Sequence, residues 1–460
     1  MTKIAKFLGA ALLHAAAIAA PAAAATNAVE KTLANGLRVI VVEDRRAPVA
    51  VHMVWYRVGA MDETDGTSGV AHLLEHMMFK GTRRLKPGEF SERVSAAGGR
   101  DNAFTSLDYT AYFQIVPAPR LAEMMSIEAD RMANLRLDPK EFASELKVVM
   151  EERRLRTEDQ PQARVHEALM SAAWQAHPYR RPIIGWMNDL ENMTVGDARD
   201  WYRRWYVPNN AWLVVVGDVD AAQVFRLAEK TYGRIPRRAL PVRKPPAEPA
   251  QSGPRQVSVK APAKLPYLAM GYKVPVLRDA ERDREPYALE VLAGVLDGHD
   301  AARLSKNVVR GRKLAVSAGA GYESSVRGES LFVLDGSPAE GHSVEELQAA
   351  LREEIGLIAR EGVPEDELKR VKTQAIASQV YRRDSSMAQA MEIGRTEAAG
   401  HSWRDIDRMI EKIRAVTAKE VQAVARKYFT DDGLTVAVLD PQPLPAAPRA
   451  AAAPARHTAR

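Results

Sequence analysis

TVGDARDWYRRWYVPNNAWLVVVGD, Thr194–Asp218, returns near the other end of the chain as TAKEVQAVARKYFTDDGLTVAVLD, Thr417–Asp440. Each copy opens with a threonine ahead of a helical run and passes an aromatic pair, Trp205-Tyr206 or Tyr428-Phe429. Each then turns at Asn209-Asn210 or Asp431-Asp432 and ends in a β-branched strand. An offset of 222 sets Val214 on Val436 and Val216 on Val438. Chance recurrence of a helix, turn and strand is the alternative. The same ending in two halves of a 460-residue chain favours duplication.

Working outward, the two halves bound the domains. Residues 27–233 form a first folded unit and residues 263–440 a second, homologous one. Between them, residues 234–262 are rich in Pro, Arg and Ala and read as an extended linker. Residues 441–460 are Ala/Pro-rich and read as a disordered tail. Leu37–Glu43 and Val49–Arg57 read as strands after the Asn35-Gly36 turn. Helical periodicity marks Thr67–Phe79, Leu121–Asn134, Pro139–Arg156, Val165–Ala173 and Val344–Arg360. Strands and helices mix without strict alternation, which predicts an α+β fold rather than a doubly wound parallel sheet.

The extreme N-terminus reads as an export signal. Lys3 and Lys6 precede an apolar run from Phe7 to Ala20, and Ala22–Ala25 offers small-residue cleavage sites. Residues 1–25 are therefore expected to be a signal peptide, and the mature chain periplasmic or secreted. An uncleaved membrane anchor is the alternative. No other long apolar run exists, so no span is expected in the mature chain. The net charge of +6 comes largely from the ends. Without Lys3, Lys6, Arg449, Arg456 and Arg460 the chain has 60 Lys and Arg against 59 Asp and Glu. No basic stripe is visible, which argues against nucleic acid as a partner. The chain has no cysteine, which excludes disulfides and thiolate ligands.

His72-Leu73-Leu74-Glu75-His76 lies in the periodic stretch Thr67–Phe79. On a helix, residues four apart are stacked neighbours, so His72 and His76 can reach one metal ion. Glu75 points near the same place and can hold a water. The order is the reverse of the H-E-x-x-H zinc helix, the inverzincin pattern. This composition yields one H-x-x-E-H by chance only about 0.01–0.02 times. Two ordinary core histidines on a helix are the bland reading. Imidazole and carboxylate ligands suit Zn2+, and a third protein ligand is needed. Further on, Glu145 and Glu152 lie two helical turns apart and share a face, whereas Glu151 points elsewhere. By themselves these acids read more readily as a solvated face balanced by Arg153, Arg154 and Arg156 than as ligands.

Taken together, His72–His76 and the Glu145/Glu152 pair resemble the pitrilysin, insulinase and mitochondrial processing peptidase family, whose H-x-x-E-H helix is completed by a downstream E-x6-E helix. Gly99–Thr105 followed by Asp108-Tyr109-Thr110 resembles that family's substrate-side strand. His177-Pro178-Tyr179 and Pro208-Asn209-Asn210 also fit. The resemblance spans roughly residues 30–440 and is closest to short two-domain members. It implies Glu152 as third ligand, Glu145 as a supporting acid of the catalytic group, and Glu75 as the base. It implies largely antiparallel sheets packed with helices, and two chains closing like a clamshell. The strand residues Asn102, Ala103, Phe104 and Thr105 would bind a peptide substrate as an added strand.

One departure matters. The family places an Arg and a Tyr seven residues apart in its second half, where they help bind the peptide carbonyl. Here Val309 and Val316 stand at those positions, with Arg310 and Tyr322 nearby but out of register. The resemblance therefore implies a second homologous subunit carrying the Arg/Tyr pair. The expected activity is zinc-dependent endopeptidase hydrolysis with Glu75 as base. A zinc-containing scaffold or peptide-binding subunit without turnover is the competing expectation.

Overall fold

The computed structural model describes residues 27–244 and 247–444, so the expected signal peptide and most of the expected tail lie outside the described residues. The first unit opens with β1 (Ala28–Thr32), β2 (Arg38–Glu43) and β3 (Val49–Tyr56). Helices α1 (Val70–Met77) and α2 (Glu89–Ala96) lead to the hairpin β4 (Arg100–Thr105) and β5 (Thr110–Pro117). Then come α3 (Leu121–Asn134), α4 (Pro139–Arg153), α5 (Pro161–Ala173) and α6 (Met187–Asn192). Helix α7 (Val195–Trp205), β6 (Ala211–Gly217) and α8 (Ala221–Thr231) close the unit.

The second unit repeats the plan. It runs β7 (Arg255–Pro262), β8 (Tyr267–Val274), α9 (Glu285–Leu296), β9 (Ala315–Tyr322) and β10 (Ser330–Pro338). Next are α10 (Val344–Glu361), α11 (Glu365–Arg382), α12 (Ser386–Ala399) and α13 (Ile406–Ala415). The last pair is α14 (Ala418–Tyr428) and β11 (Leu434–Gln442).

The two sheets have the orders β1-β2-β6-β3-β5-β4 and β7-β11-β8-β10-β9. Apart from β1 their strand orders correspond one for one. In each, the final strand inserts centrally, parallel to one neighbour and antiparallel to the other. Val214 pairs with Ile40 and Met53; its repeat partner Val436 pairs with Gln256 and Met270. The expected duplication is thus present in the hydrogen-bond ladders. Its helical half is equally faithful. Thr194 and Thr417 both cap their helices in capping boxes, with Asp197 and Glu420 as the reciprocal acids.

Two boundaries are corrected. Residues 255–262, read as the end of the linker, form β7 and pair with β11, as β2 pairs with β6. The second unit therefore begins earlier than residue 263. It also ends later than residue 440, because β11 runs to Gln442. The prolines of 234–262 masked an alternation of Val257, Val259 and Ala261, all of which pack on one side with Leu169 of α5.

Each unit lends a helix to the other. Helix α5 packs on β7, β8 and β11 of the second sheet, and α12 packs on β3 and β6 of the first. Ala390 and Ile393 of α12 join Trp55, Met53 and Trp212 in one core. The approach is close enough that a Cβ on Gly394 would lie 2.0 Å from the Trp55 ring. Among the described residues no helix is long and apolar enough to cross a membrane.

Candidate metal centre

The site is built on α1. Gly69 precedes it with φ of 90°, and a Cβ there would meet the Ile184 carbonyl at 2.6 Å. Only glycine fits that corner. The first free N–H groups of α1 are satisfied by Glu63, whose Oε2 accepts from Gly69 N and Oε1 from Ala71 N, both at 2.9 Å. Burial pushes the Glu63 carboxyl up to about 8, against the pull of those two donors and Arg181. Apolar Val70, Leu73, Leu74 and Met77 bury the rest of the helix in the first core.

His72 and His76 then stand one turn apart, with ring centroids at 4.8 Å. Helix α4 packs against α1 and supplies the third group. Glu152 Oε1 lies 3.8 Å from His72 Nε2, and its Oε2 lies 3.4 Å from His76 Nε2. One donor atom from each of the three residues lies within 4.8 Å of the others. Such spacing is what donors at about 2.0–2.2 Å from a common zinc ion require, and three protein ligands leave a position open. Burial, with His76 and Arg156 adding to it, pulls the His72 ring down to about 3, so it is a neutral imidazole with a lone pair to give. The residues present fit a zinc ion.

Around this centre the supporting contacts are specific. Glu145 Oε2 sits 3.3 Å from His76 Nδ1, and Lys80 holds the same carboxylate at 2.6 Å. A carboxylate behind a ligating histidine fixes its tautomer and raises its basicity. Arg156, mostly exposed, pairs with Glu152 at 2.6 Å. Glu151 faces solvent and pairs with Arg154. Glu75 accepts a hydrogen bond from Thr105 Oγ1 at 2.5 Å, and burial pushes its carboxyl above the usual range.

The four strand residues divide between the two faces of β4. Thr105 points at Glu75, and Ala103 packs on the core that contains α1. Phe104 packs on Trp55 and Tyr109 across the sheet. Asn102 is exposed and its Oδ1 accepts from Ala103 N. Among the described residues β4 is an edge strand, bonded only to β5. A cavity of about 690 Å³ joins His72, Glu75, His76 and Glu152 to this edge and to Leu107, Met170 and Tyr179. In the second unit, Arg310 is tied to the Asp300 carbonyl and Tyr322 to the Pro275 carbonyl. Val316 is exposed, and Val309 packs against the second core.

Sequence reasoning missed the helix cap Glu63, the brace Lys80 and the role of Thr105 toward Glu75. Lys80 was legible, since it lies one turn beyond His76. Glu63 and Thr105 carry no local signal, because their contacts come from chain reversal.

Two repeated α+β units, one of them carrying an H-x-x-E-H helix with a converging glutamate, have the organisation of an inverzincin metallopeptidase chain. The family comparisons agree: residues 38–186 match Insulinase (Peptidase family M16), and residues 192–375 match the Peptidase M16 inactive domain. The chain belongs to the M16 peptidase family. The zinc protease PqqE of Helicobacter pylori is 32% identical over 419 residues, covering 89% of this chain and 92% of its own length. The crystal structure of a protease from Helicobacter pylori superposes with a TM-score of 0.86 at 30% identity, over 90% of this chain and 100% of that one. The periplasmic protease PqqL from Escherichia coli shares the fold, with a TM-score of 0.76 at 18% identity, over 90% of this chain and 48% of that one.

Proposed function

We propose that the chain is an exported zinc-dependent endopeptidase that hydrolyses peptides or unfolded segments in partnership with a second homologous chain. The observation that carries this reading is the Glu75 carboxylate, braced by Thr105 in the cavity beside three converging ligand groups. A zinc ion held by His72, His76 and Glu152 would supply Lewis acidity at the scissile carbonyl. The peptide lies along the free edge of β4, so main-chain hydrogen bonds hold it with little sequence preference. Glu75, ionised, takes a proton from the attacking water at its carboxylate. The water oxygen bonds the carbonyl carbon, the C–N bond breaks, and Glu75 returns the proton to the leaving amine. Glu145 keeps the His76 ring oriented throughout.

The pairing rests on Val309 and Val316, which cannot donate hydrogen bonds to a peptide oxygen. Arg310 and Tyr322 are already committed to carbonyls of their own domain. That this fold fills about half of the Escherichia coli PqqL chain supports a working unit of two such halves. Export rests on the pattern Lys3–Ala25 and predicts a mature N-terminus near Thr26. N-terminal sequencing of the native protein checks it, and an intact Met1 on a soluble cytoplasmic protein refutes it.

The testing experiment is Glu75→Gln, with metal content and peptide turnover measured on one sample, with and without chelator. The variant keeps its zinc and loses about 10²–10⁴ in rate. Near wild-type turnover removes Glu75 from the role of base. Zinc bound without turnover in the wild type, partner present, makes the chain a scaffold or peptide-binding subunit.

A further inference from the structure

We propose that Arg327, in the second domain, is a positioning residue for the first domain's site, clamping together the two loops that deliver α1 and β4. The inference rests on the peptidase reading above and gives the second domain a part in it.

Arg327 sits in the loop between β9 and β10, and its side chain is buried against the first domain. Nη1 and Nη2 donate to the two oxygens of Asp62 at 2.9 and 3.1 Å. Nη1 also donates to the Asp108 carbonyl, and the Arg327 backbone N–H donates to Asp108 Oδ2, both at 2.9 Å. The neighbouring Gly328 N–H donates to Tyr179 Oη, which itself donates to Asp108 Oδ1. A Cβ on Gly328 would lie 2.4 Å from the His177 ring, so the loop is seated without slack.

The two aspartates are the ends of separate supply lines. Asp62 ends the turn Ala60–Asp62, and the next residue is Glu63, which caps α1 one residue ahead of His72. Asp108 lies in the turn after β4, three residues beyond Thr105, which braces Glu75. Those loops also bond each other directly, Ala60 N to the Ser106 carbonyl and Met61 N to the Leu107 carbonyl, with Gly59 packed closely against Ser106 and Leu107. Asp62 and Asp108 are both nearly inaccessible to solvent. Two buried carboxylates repel unless a cation stands between them. The guanidinium forks onto the Asp62 carboxylate and also reaches the Asp108 backbone carbonyl, a fixed-angle pattern that an ammonium does not reproduce. Arg243 of the linker also reaches Asp62, but makes no bond to Asp108. Arg327 alone among the described side chains donates to both loops.

Two variants test this. Arg327→Lys keeps the charge and loses the fork. Arg327→Met with Asp62→Asn removes both charges together and leaves none stranded between those two residues. Each is compared with wild type by thermal unfolding, by kcat and KM at saturating zinc with partner present, and by amide exchange of residues 63–78 and 100–109 in zinc-free protein. The expected result is a folded protein with KM within about twofold, kcat down about 10-fold or more, and faster exchange confined to those two segments. Wild-type kcat and wild-type exchange in a folded variant overturn the proposal. Failure of both variants to fold also overturns it, since Arg327 then serves stability rather than position. If the wild-type protein shows no turnover, the peptidase reading fails, and the exchange measurement still decides whether Arg327 holds the loops.

Discussion

Glu151 and Glu152 are adjacent, chemically identical, and point to different worlds. Glu151 lies in solvent beside Arg154; Glu152 lies against His72 and His76. Glu152→Ala is expected to weaken zinc binding by more than the roughly 10–100-fold typical of an outer contact, and Glu145→Gln by about that lesser amount. Glu151→Ala binds zinc as wild type does. Zinc stoichiometry and chelator competition rank the three, and a zinc-free Glu151→Ala would move the ligand assignment by one residue. Away from the site, Glu290 is held by Ser324 in the second domain, and burial pushes it up to about 7. A carboxyl raised in the folded state stabilises fully below its unfolded value near 4.5, and that stability is lost as pH rises through about 7. Glu290→Gln should therefore flatten the stability profile between pH 5 and 8 by on the order of 1–3 kcal/mol. Chemical denaturation at several pH values measures it, and parallel profiles for the two proteins refute the assignment.

At the scale of elements, the exchange of α5 and α12 between sheets makes the two units one folding body. The stripe Val165, Leu169 and Ala173 was legible as the buried face of a helix, but nothing in its spacing says which sheet it covers. β7 was hidden for the opposite reason: its alternation is present, yet proline-rich flanks outweighed it until β11 supplied a partner. A close contact of the exchange is Gly394 on Trp55. Gly394→Ala forces a methyl into that ring and is expected to destabilise the whole chain by about 1–3 kcal/mol, or more if the helix cannot shift. Urea unfolding should show a lower midpoint with an unchanged slope. An unchanged midpoint would mean that α12 rides loosely on the first sheet.

At the scale of the molecule, the chain carries one H-x-x-E-H helix and no Arg/Tyr pair at residues 309 and 316. Alone it is expected to hydrolyse peptides weakly, because a missing carbonyl contact typically costs about 2.7–4 kcal/mol of transition-state stabilisation. Adding a homologous chain with the pair should raise activity by roughly 10²-fold or more. The gain should vanish when that chain's Arg or Tyr is replaced. Full activity of the lone chain, unchanged by the partner, sinks the pairing.

The two histidines and Glu75 were readable because a helix makes neighbours of residues three and four apart, a local rule the chain obeys before it folds. Glu152 as third ligand came only from the family resemblance, since its spacing from Glu145 alone fits a solvated face as well. The duplication was readable for a similar reason: capping threonines and β-branched strands are local choices, made twice. Loop contacts obey no such rule. Glu63 on α1, Thr105 on Glu75 and Arg327 across both loops join residues 6 to 265 positions apart. Such contacts arise only when separate elements are packed in three dimensions, because no periodicity of the chain records which loops will meet.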